Sequence, residues 1–310
     1  MKKKFLYSSV LLLFFIKLTL FSQIESIKIN SASSDSLLGW KSGGNIGINA
    51  SSSGQSNWSG GGKPTVNILG LVNVFLNQKL VSSSWENSLS LKYGAQNIDK
   101  AGFTKSDDEF SIASKYGVKQ TESIYWAALL QFKSQLDVGY KLGSPDLLLS
   151  RFLAPANLNL ALGIDYKPTS NFSLFASPIG ANILFVNDNF LNSESGDGNN
   201  ENGKGAFGID AGKSSKISVG AGLKALYKIE LMKNTTWESN LTTFAPYNDI
   251  THWQIDWKNN LYLKVNEYIN AGLSTQTLYD HNVIVNRDDE TKGPETQLKY
   301  ILSLGLGYNF

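Results

Sequence analysis

The chain has 310 residues, with 28 Lys and Arg against 26 Asp and Glu, a formal net charge of +2 and no cysteine. A charge this small and this scattered gives no footing for nucleic-acid binding. The missing thiols exclude disulfide staples, thiolate metal sites and an N-terminal lipid-modified cysteine.

Met1-Lys2-Lys3-Lys4 is a basic cluster, followed by an apolar run from Phe5 to Phe21 and by polar Ser22-Gln23. This is the pattern of a secretory signal peptide, assigned to residues 1–22; Ser8, Ser9 and Lys17 interrupt the run and argue against a retained membrane helix. Residues 23–42 are expected to form a periplasmic N-terminal segment, and 43–310 a single domain, since no Pro/Gly linker divides them. No later stretch approaches the roughly 18–20 uninterrupted apolar residues that a spanning helix needs. A closed sheet is then the remaining way for this chain to cross a bilayer.

Alternation with period two carries that reading. Leu158, Leu160, Leu162, Ile164 and Tyr166 oppose Asn157, Asn159, Ala161, Gly163 and Asp165. From 217 to 229, Ile217, Val219, Leu223, Tyr227 and Ile229 oppose Ser218, Gly220, Gly222, Lys224 and Lys228. Beyond His252, Trp253, Ile255, Trp257, Leu261, Leu263 and Val265 face one way and Gln254, Asp256, Lys258, Asn260, Lys264 and Asn266 the other. At the C-terminus, Tyr300, Leu302, Leu304, Leu306, Tyr308 and Phe310 share one face, with Ile301 the only break. A helical period would mix these sets, whereas lipid on one side of a barrel wall and water on the other require them separate.

The same criterion predicts strands near 43–52, 64–78, 83–97, 106–119, 122–141, 156–168, 171–187, 215–231, 234–247, 252–266, 268–282 and 296–310. Short turns near 79–82, 119–121, 168–170, 232–234 and 266–267 alternate with connections near 53–63, 98–105, 142–155, 188–214, 248–251 and 283–295, of which only the fifth is not clearly longer than a turn. Outer-membrane barrels have short periplasmic turns and longer external loops. The expected fold is therefore all-β: a transmembrane antiparallel up-and-down β-barrel of twelve strands in the outer membrane of a Gram-negative bacterium, both termini periplasmic. A soluble sandwich also alternates, but with strands of about five or six residues and no need for aromatics such as Trp85, Trp253 or Tyr308 near strand ends.

Several short motifs recur in order: Trp40 with Gly43-Gly44, Asn57-Trp58-Ser59-Gly60-Gly61-Gly62, Trp85 with Tyr93-Gly94, Thr104-Lys105-Ser106-Asp107-Asp108, Ser114-Lys115-Tyr116-Gly117, Gln135 with Val138-Gly139-Tyr140, Phe152-Leu153-Ala154-Pro155-Ala156, Gly163 to Pro168, and Ser177-Pro178. With them the mature chain resembles the Bacteroidetes outer-membrane barrel family catalogued as domain of unknown function 3078. The resemblance implies a location and carries no activity or catalytic residue with it.

Chemistry-bearing groups are few. His252 and His281 could serve a Ser-His hydrolase such as an outer-membrane lipid hydrolase, but exposed histidines near loops are the simpler reading, and no short-spaced pair suggests zinc. Glu194, Asp197 and Glu201 supply oxygen in a long Asn/Gly loop without the ordered spacing of a calcium loop. Asp107 and Asp108 point to opposite faces as strand neighbours, so they read as rim or lumen residues, and Gly60-Gly61-Gly62 lacks the Lys-Ser/Thr ending of a phosphate loop. No catalytic residue, metal or cofactor is expected. The lumen is the informative surface. Lys92, Lys115, Lys119, Lys133, Lys141, Lys224, Lys228, Lys258, Lys264 and Lys299 are assigned inward, among Glu86, Glu109, Asp137, Asp165, Glu238, Asp256 and Asp280. A midplane Lys facing lipid costs roughly 2–4 kcal/mol, which forbids the other face.

Leu149, Arg151 and Phe152 lie in the one apolar connection, 147–155, and are expected to fold inward as a short helix that narrows the pore, the alternative being that the loop covers the rim. The expected function is a passive pore or transporter for small polar or anionic solutes, with a structural or assembly barrel that binds a partner through its loops as the alternative. Expected partners are outer-membrane lipids and, through the C-terminal strand ending in Phe310, the barrel insertion machinery.

Overall fold

The computed structural model describes residues 38–53, 65–98, 102–141, 144–197, 203–266, 268–281, 285–286 and 292–309. The assignments to the signal peptide, to Gly60-Gly61-Gly62, to Glu201 and to Phe310 lie outside the described residues, as does the side chain of Lys299. Twelve antiparallel strands form a closed barrel: β1 (Gly39–Ser53), β2 (Thr65–Lys79), β3 (Ser83–Ile98), β4 (Phe103–Lys119), β5 (Ile124–Ser134), β6 (Ala156–Thr169), β7 (Phe172–Phe185), β8 (Ser215–Met232), β9 (Thr235–Pro246), β10 (Gln254–Lys264), β11 (Ile269–Asp280) and β12 (Gln297–Asn309). Each pairs with its neighbours in sequence, and β1 closes on β12 through Asn45↔Asn309 to Asn49↔Gly305. The sheet thus closes on itself without a free edge strand, as hydrocarbon demands.

The two faces are inverted relative to a soluble protein. Leu302, Ile217 and Ile179 are 76 %, 65 % and 60 % exposed on the outside, while Glu238, Asn240 and Thr242 of β9 are buried on the inside. An exterior this apolar, with exposed large hydrophobic side chains on most of the strands, suits lipid rather than water. The fold is that of an outer-membrane β-barrel.

Local chemistry sets the short turns. Asn234 takes φ +66° in the two-residue link between β8 and β9, a conformation Asn tolerates better than most residues. The Thr121 hydroxyl accepts the N–H of Ser123 and Ile124, and the Asn266 side-chain oxygen accepts those of Tyr268 and Ile269. Pro178 interrupts β7, where the ladder shifts against both neighbours. Ser177 repairs the break by donating to the carbonyls of Leu162 and Ile179. Backbone closes in at this bulge, so that a Cβ at Gly163 would lie 2.1 Å from the Ala176 carbonyl oxygen.

Two boundaries depart most from expectation. β1 begins at Gly39, so four residues assigned to the periplasmic segment belong to the wall. β5 stops at Ser134 rather than running to 141, because the Asp108 carboxylate takes the N–H groups of Leu136 and Asp137 and draws the chain off the ladder. Gly139–Lys141 then pairs with Ser144–Ser150 as a separate hairpin.

Candidate functional site

The inward positions of β3 to β10 form a connected polar lining. Its densest part is a quartet of two lysines and two carboxylates. Glu86 and Lys115 face each other across β3 and β4, with Lys115 Nζ 3.2 Å from Glu86 Oε2 and 2.6 Å from Asp165 Oδ2. Lys167 closes the ring, 3.1 Å from Asp165 and also bonded to Glu86. Lys115 reaches Asp165 across an intervening strand because Gly117, Ala127 and Gly163 lie in register there and leave room above the wall. Lys115, Glu86 and Asp165 are almost fully buried inside the barrel. Such burial is tolerable only because the two charges of each sign cancel.

Toward the loop end, Glu109 takes Lys92 at 3.2 Å and Lys133 at 2.7 Å. Lys224 donates to Gln131 at 2.8 Å across the interior, Lys228 lies 3.7 Å from Glu238, and Lys258 lies 3.5 Å from Asp256, which also accepts from Gln276. Apolar side chains fill the wall between these groups. Leu129, Phe175, Leu226 and Phe244 all face inward and are buried, Leu129 and Phe175 packing with Ala113 and Ala127. In two of these pairs the lysine is clearly the wetter partner: the Lys92 side chain is 35 % exposed against 14 % for Glu109, and Lys228 38 % against 7 % for Glu238.

Of the residues assigned to the lumen, Lys92, Lys115, Lys133, Asp165, Lys224, Lys228, Glu238, Asp256 and Lys258 are brought into this lining. Asp137 and Lys141 are not, since β5 ends before them. Asp137 instead accepts the Tyr93 hydroxyl at 2.8 Å on the outer side of the wall. That bond and the Val138 N–H hold its carboxyl below the usual carboxylate range. Lys119 pairs with Glu122 at the turn, and Lys264 is exposed at the turn end of β10. Lys167, Gln131 and the inward apolar residues escaped the sequence reading. Period two starting from Asp165 puts Lys167 on the same face, a signal obscured by its position beside Pro168.

The expected constriction is corrected. Residues 144–150 form a strand, not a helix, and Leu149 and Phe152 are about half exposed, as is the Arg151 side chain. The loop's apolar content packs elsewhere: Leu148 and Ala154 join Val186, Leu191, Ala206 and Ile209 in a second core formed with the 186–214 connection. Leu184, an inward position of β7, touches this core, so the two loops cap the inner rim of that wall. Arg151 reaches Asp188 at 3.0 Å. Partial burial pushes the Asp188 carboxyl up, but hydrogen bonds from Leu191 N–H, Arg151 and Phe190 N–H outweigh it and hold the group low.

Asp108 binds Lys105 at 2.8 Å besides its two backbone donors, an anchoring role. At the loop end of β10, Asp249 and the Thr251 hydroxyl both approach His252 Nδ1, at 2.6 and 3.4 Å. A hydrolytic relay needs acid and hydroxyl on opposite ring nitrogens, so these three do not form one. Among the described residues no group of three or more His, Cys, Asp or Glu converges as for a metal ion.

A family model described as "Protein of unknown function (DUF3078)" matches residues 50–140 and supports that part of the resemblance. A comparison with curated proteins found no significant match. Among solved structures, the chain is similar to the COG4313 outer membrane channel from Pseudomonas putida F1, at 12 % identity and TM-score 0.42 over 88 % of this chain and 96 % of that one. It is also similar to the translocator domain of the autotransporter NalP from Neisseria meningitidis, at 10 % identity and TM-score 0.39 over 89 % and 90 %. A third similarity is to the NanC porin, at 8 % identity and TM-score 0.37 over 86 % and 98 %.

Proposed function

We propose that the chain is a passive conduit for small polar solutes, with a preference for anions, in the outer membrane of a Gram-negative bacterium and with both termini in the periplasm. One observation carries the reading: two lysines of the lumen face, Lys92 and Lys228, keep more contact with water than Glu109 and Glu238, the carboxylates they pair with. A solute entering the lumen meets positive charge first, while each carboxylate is already neutralised by its partner. The proposed orientation rests on the short links gathered at the end that holds both termini and the long connections at the other.

The test is conductance across a planar bilayer under a salt gradient. Discrete steps with a reversal potential of anion sign are expected; a silent membrane, or a cation-selective one, would oppose the reading. The quartet and the loop cap favour a second reading, a closed structural barrel that works through its loops. That reading expects no conductance, together with a partner retained at fixed stoichiometry on affinity capture.

A further inference from the structure

The two histidines of the chain meet at the loop end of the barrel, apart from the lumen lining. Gln254 at the start of β10 faces Asp280 at the end of β11, and the His281 N–H carries the pairing one step further by donating to the Trp253 carbonyl at 3.4 Å. Trp253 and Tyr279 pack beside this step with ring centres 5.2 Å apart. On the other flank, the His252 N–H donates to the Asp249 carbonyl at 3.0 Å. With both backbones held, the imidazoles of His252 and His281 lie 4.4 Å apart, centre to centre, at 69°.

In each ring an oxygen occupies Nδ1. The Asp249 carboxylate lies 2.6 Å from His252 Nδ1, and the Tyr279 hydroxyl lies 3.2 Å from His281 Nδ1. Neither Nε2 has a hydrogen-bond partner among the described residues. A carboxylate can only accept, so the neutral His252 ring carries its proton on Nδ1 and its lone pair on Nε2. The Tyr279 oxygen can accept from His281 Nδ1 in the same way. Imidazoles that bind metals are prepared like this, by an outer oxygen that fixes the tautomer and raises the basicity of the other nitrogen.

The spacing suits a shared ion. A metal about 2.0–2.1 Å from each Nε2, with the two bonds about 90–110° apart, puts the ring centres about 4.5–5 Å from each other. The observed 4.4 Å lies just below that range, and the rings must turn from their edge-to-face angle of 69° for both Nε2 atoms to face one ion. Two imidazoles suit copper, zinc or nickel, whereas calcium and magnesium demand oxygen. With no third protein ligand converging among the described residues, water completes the shell.

We propose that His252 and His281 form a two-imidazole site for one divalent transition-metal ion at the barrel rim, with Asp249 as the residue that positions His252. Such an ion ties the 247–253 connection to the end of β11. The site stands independently of the pore reading, because binding is measured whether or not the barrel conducts.

The test titrates Cu2+ into the untagged full-length mature chain, folded in detergent micelles, and follows it by calorimetry and electron paramagnetic resonance. One ion per chain with hyperfine splitting from two nitrogens is expected. His252→Ala and His281→Ala should each leave one nitrogen and weaken binding by at least roughly tenfold, and Asp249→Asn should weaken it by roughly tenfold or more while both nitrogens remain. Folding of every variant is checked by the heat-dependent gel mobility of a closed barrel. Binding by the parent no tighter than by the His252→Ala/His281→Ala double variant would overturn the proposal, as would a spectrum that the double substitution leaves unchanged.

Discussion

Replacing Lys115 by Met probes the packing of the lumen most sharply. The Lys115 side chain is 3 % exposed and holds Glu86 and Asp165 at 3.2 and 2.6 Å. Met keeps the length and most of the volume, so the packing change alone costs less than about 1.5 kcal/mol. What changes is the charge: two buried carboxylates are left to share Lys167, a net −1 inside the wall. Removing one partner of a buried ion pair costs about 3–5 kcal/mol, and that is the expected loss. Lys115→Met/Asp165→Asn restores neutrality and should regain at least about half of it, since contacting residues do not behave additively. Urea unfolding in lipid vesicles reads the difference through the seven tryptophans of the chain. A Lys115→Met variant within about 0.5 kcal/mol of the parent, the scale of a solvated surface pair, would refute a packed quartet and imply a wide wet lumen.

Lys92→Glu together with Lys228→Glu should reverse the sign of the reversal potential while leaving single-channel conductance of the same order, measured in planar bilayers. Gly163→Ala should destabilise by about 1–3 kcal/mol because its Cβ meets backbone, whereas Gly70→Ala, whose Cβ would lie 3.8 Å from the nearest carbonyl oxygen, should stay near the parent in the same unfolding assay. The depressed Asp188 carboxyl predicts a pH effect on the loop cap. A folded-state value below the unfolded one means its stabilisation is present above the unfolded value, near pH 4, and is lost as pH falls through the folded one. Amide exchange over residues 186–191 should therefore be faster in Asp188→Asn than in the parent at neutral pH, with the difference vanishing in acid.

The barrel was legible because period two survives wherever lipid and water sit on opposite sides of a strand. It failed at the end of β5, where a side chain on another strand, Asp108, outbids the ladder for two N–H groups. No local pattern encodes that. The lumen charges were legible as a face but not as pairs, since pairing depends on register between strands. The rule that an inward residue is polar also hid Phe175, Leu129 and Leu226, which fill space beside the ion network rather than face open water. The apolar loop was recognised as needing cover, yet its cover is the distant 186–214 connection instead of the lumen. The meeting of His252 and His281 follows from the Gln254↔Asp280 pairing, which single-strand periodicity does not supply.

With no native cysteine, one cysteine at a time can be placed along β8 from Ile217 to Ile229 and spin-labelled in lipid vesicles. Collisions with oxygen, which concentrates in lipid, should peak at Ile217, Val219, Ala221, Leu223, Ala225, Tyr227 and Ile229, while collisions with a water-soluble relaxant should peak at the residues between them. Uniform access to the aqueous reagent along the strand, or a period near 3.6, would contradict a wall with lipid on one side and a polar lumen on the other.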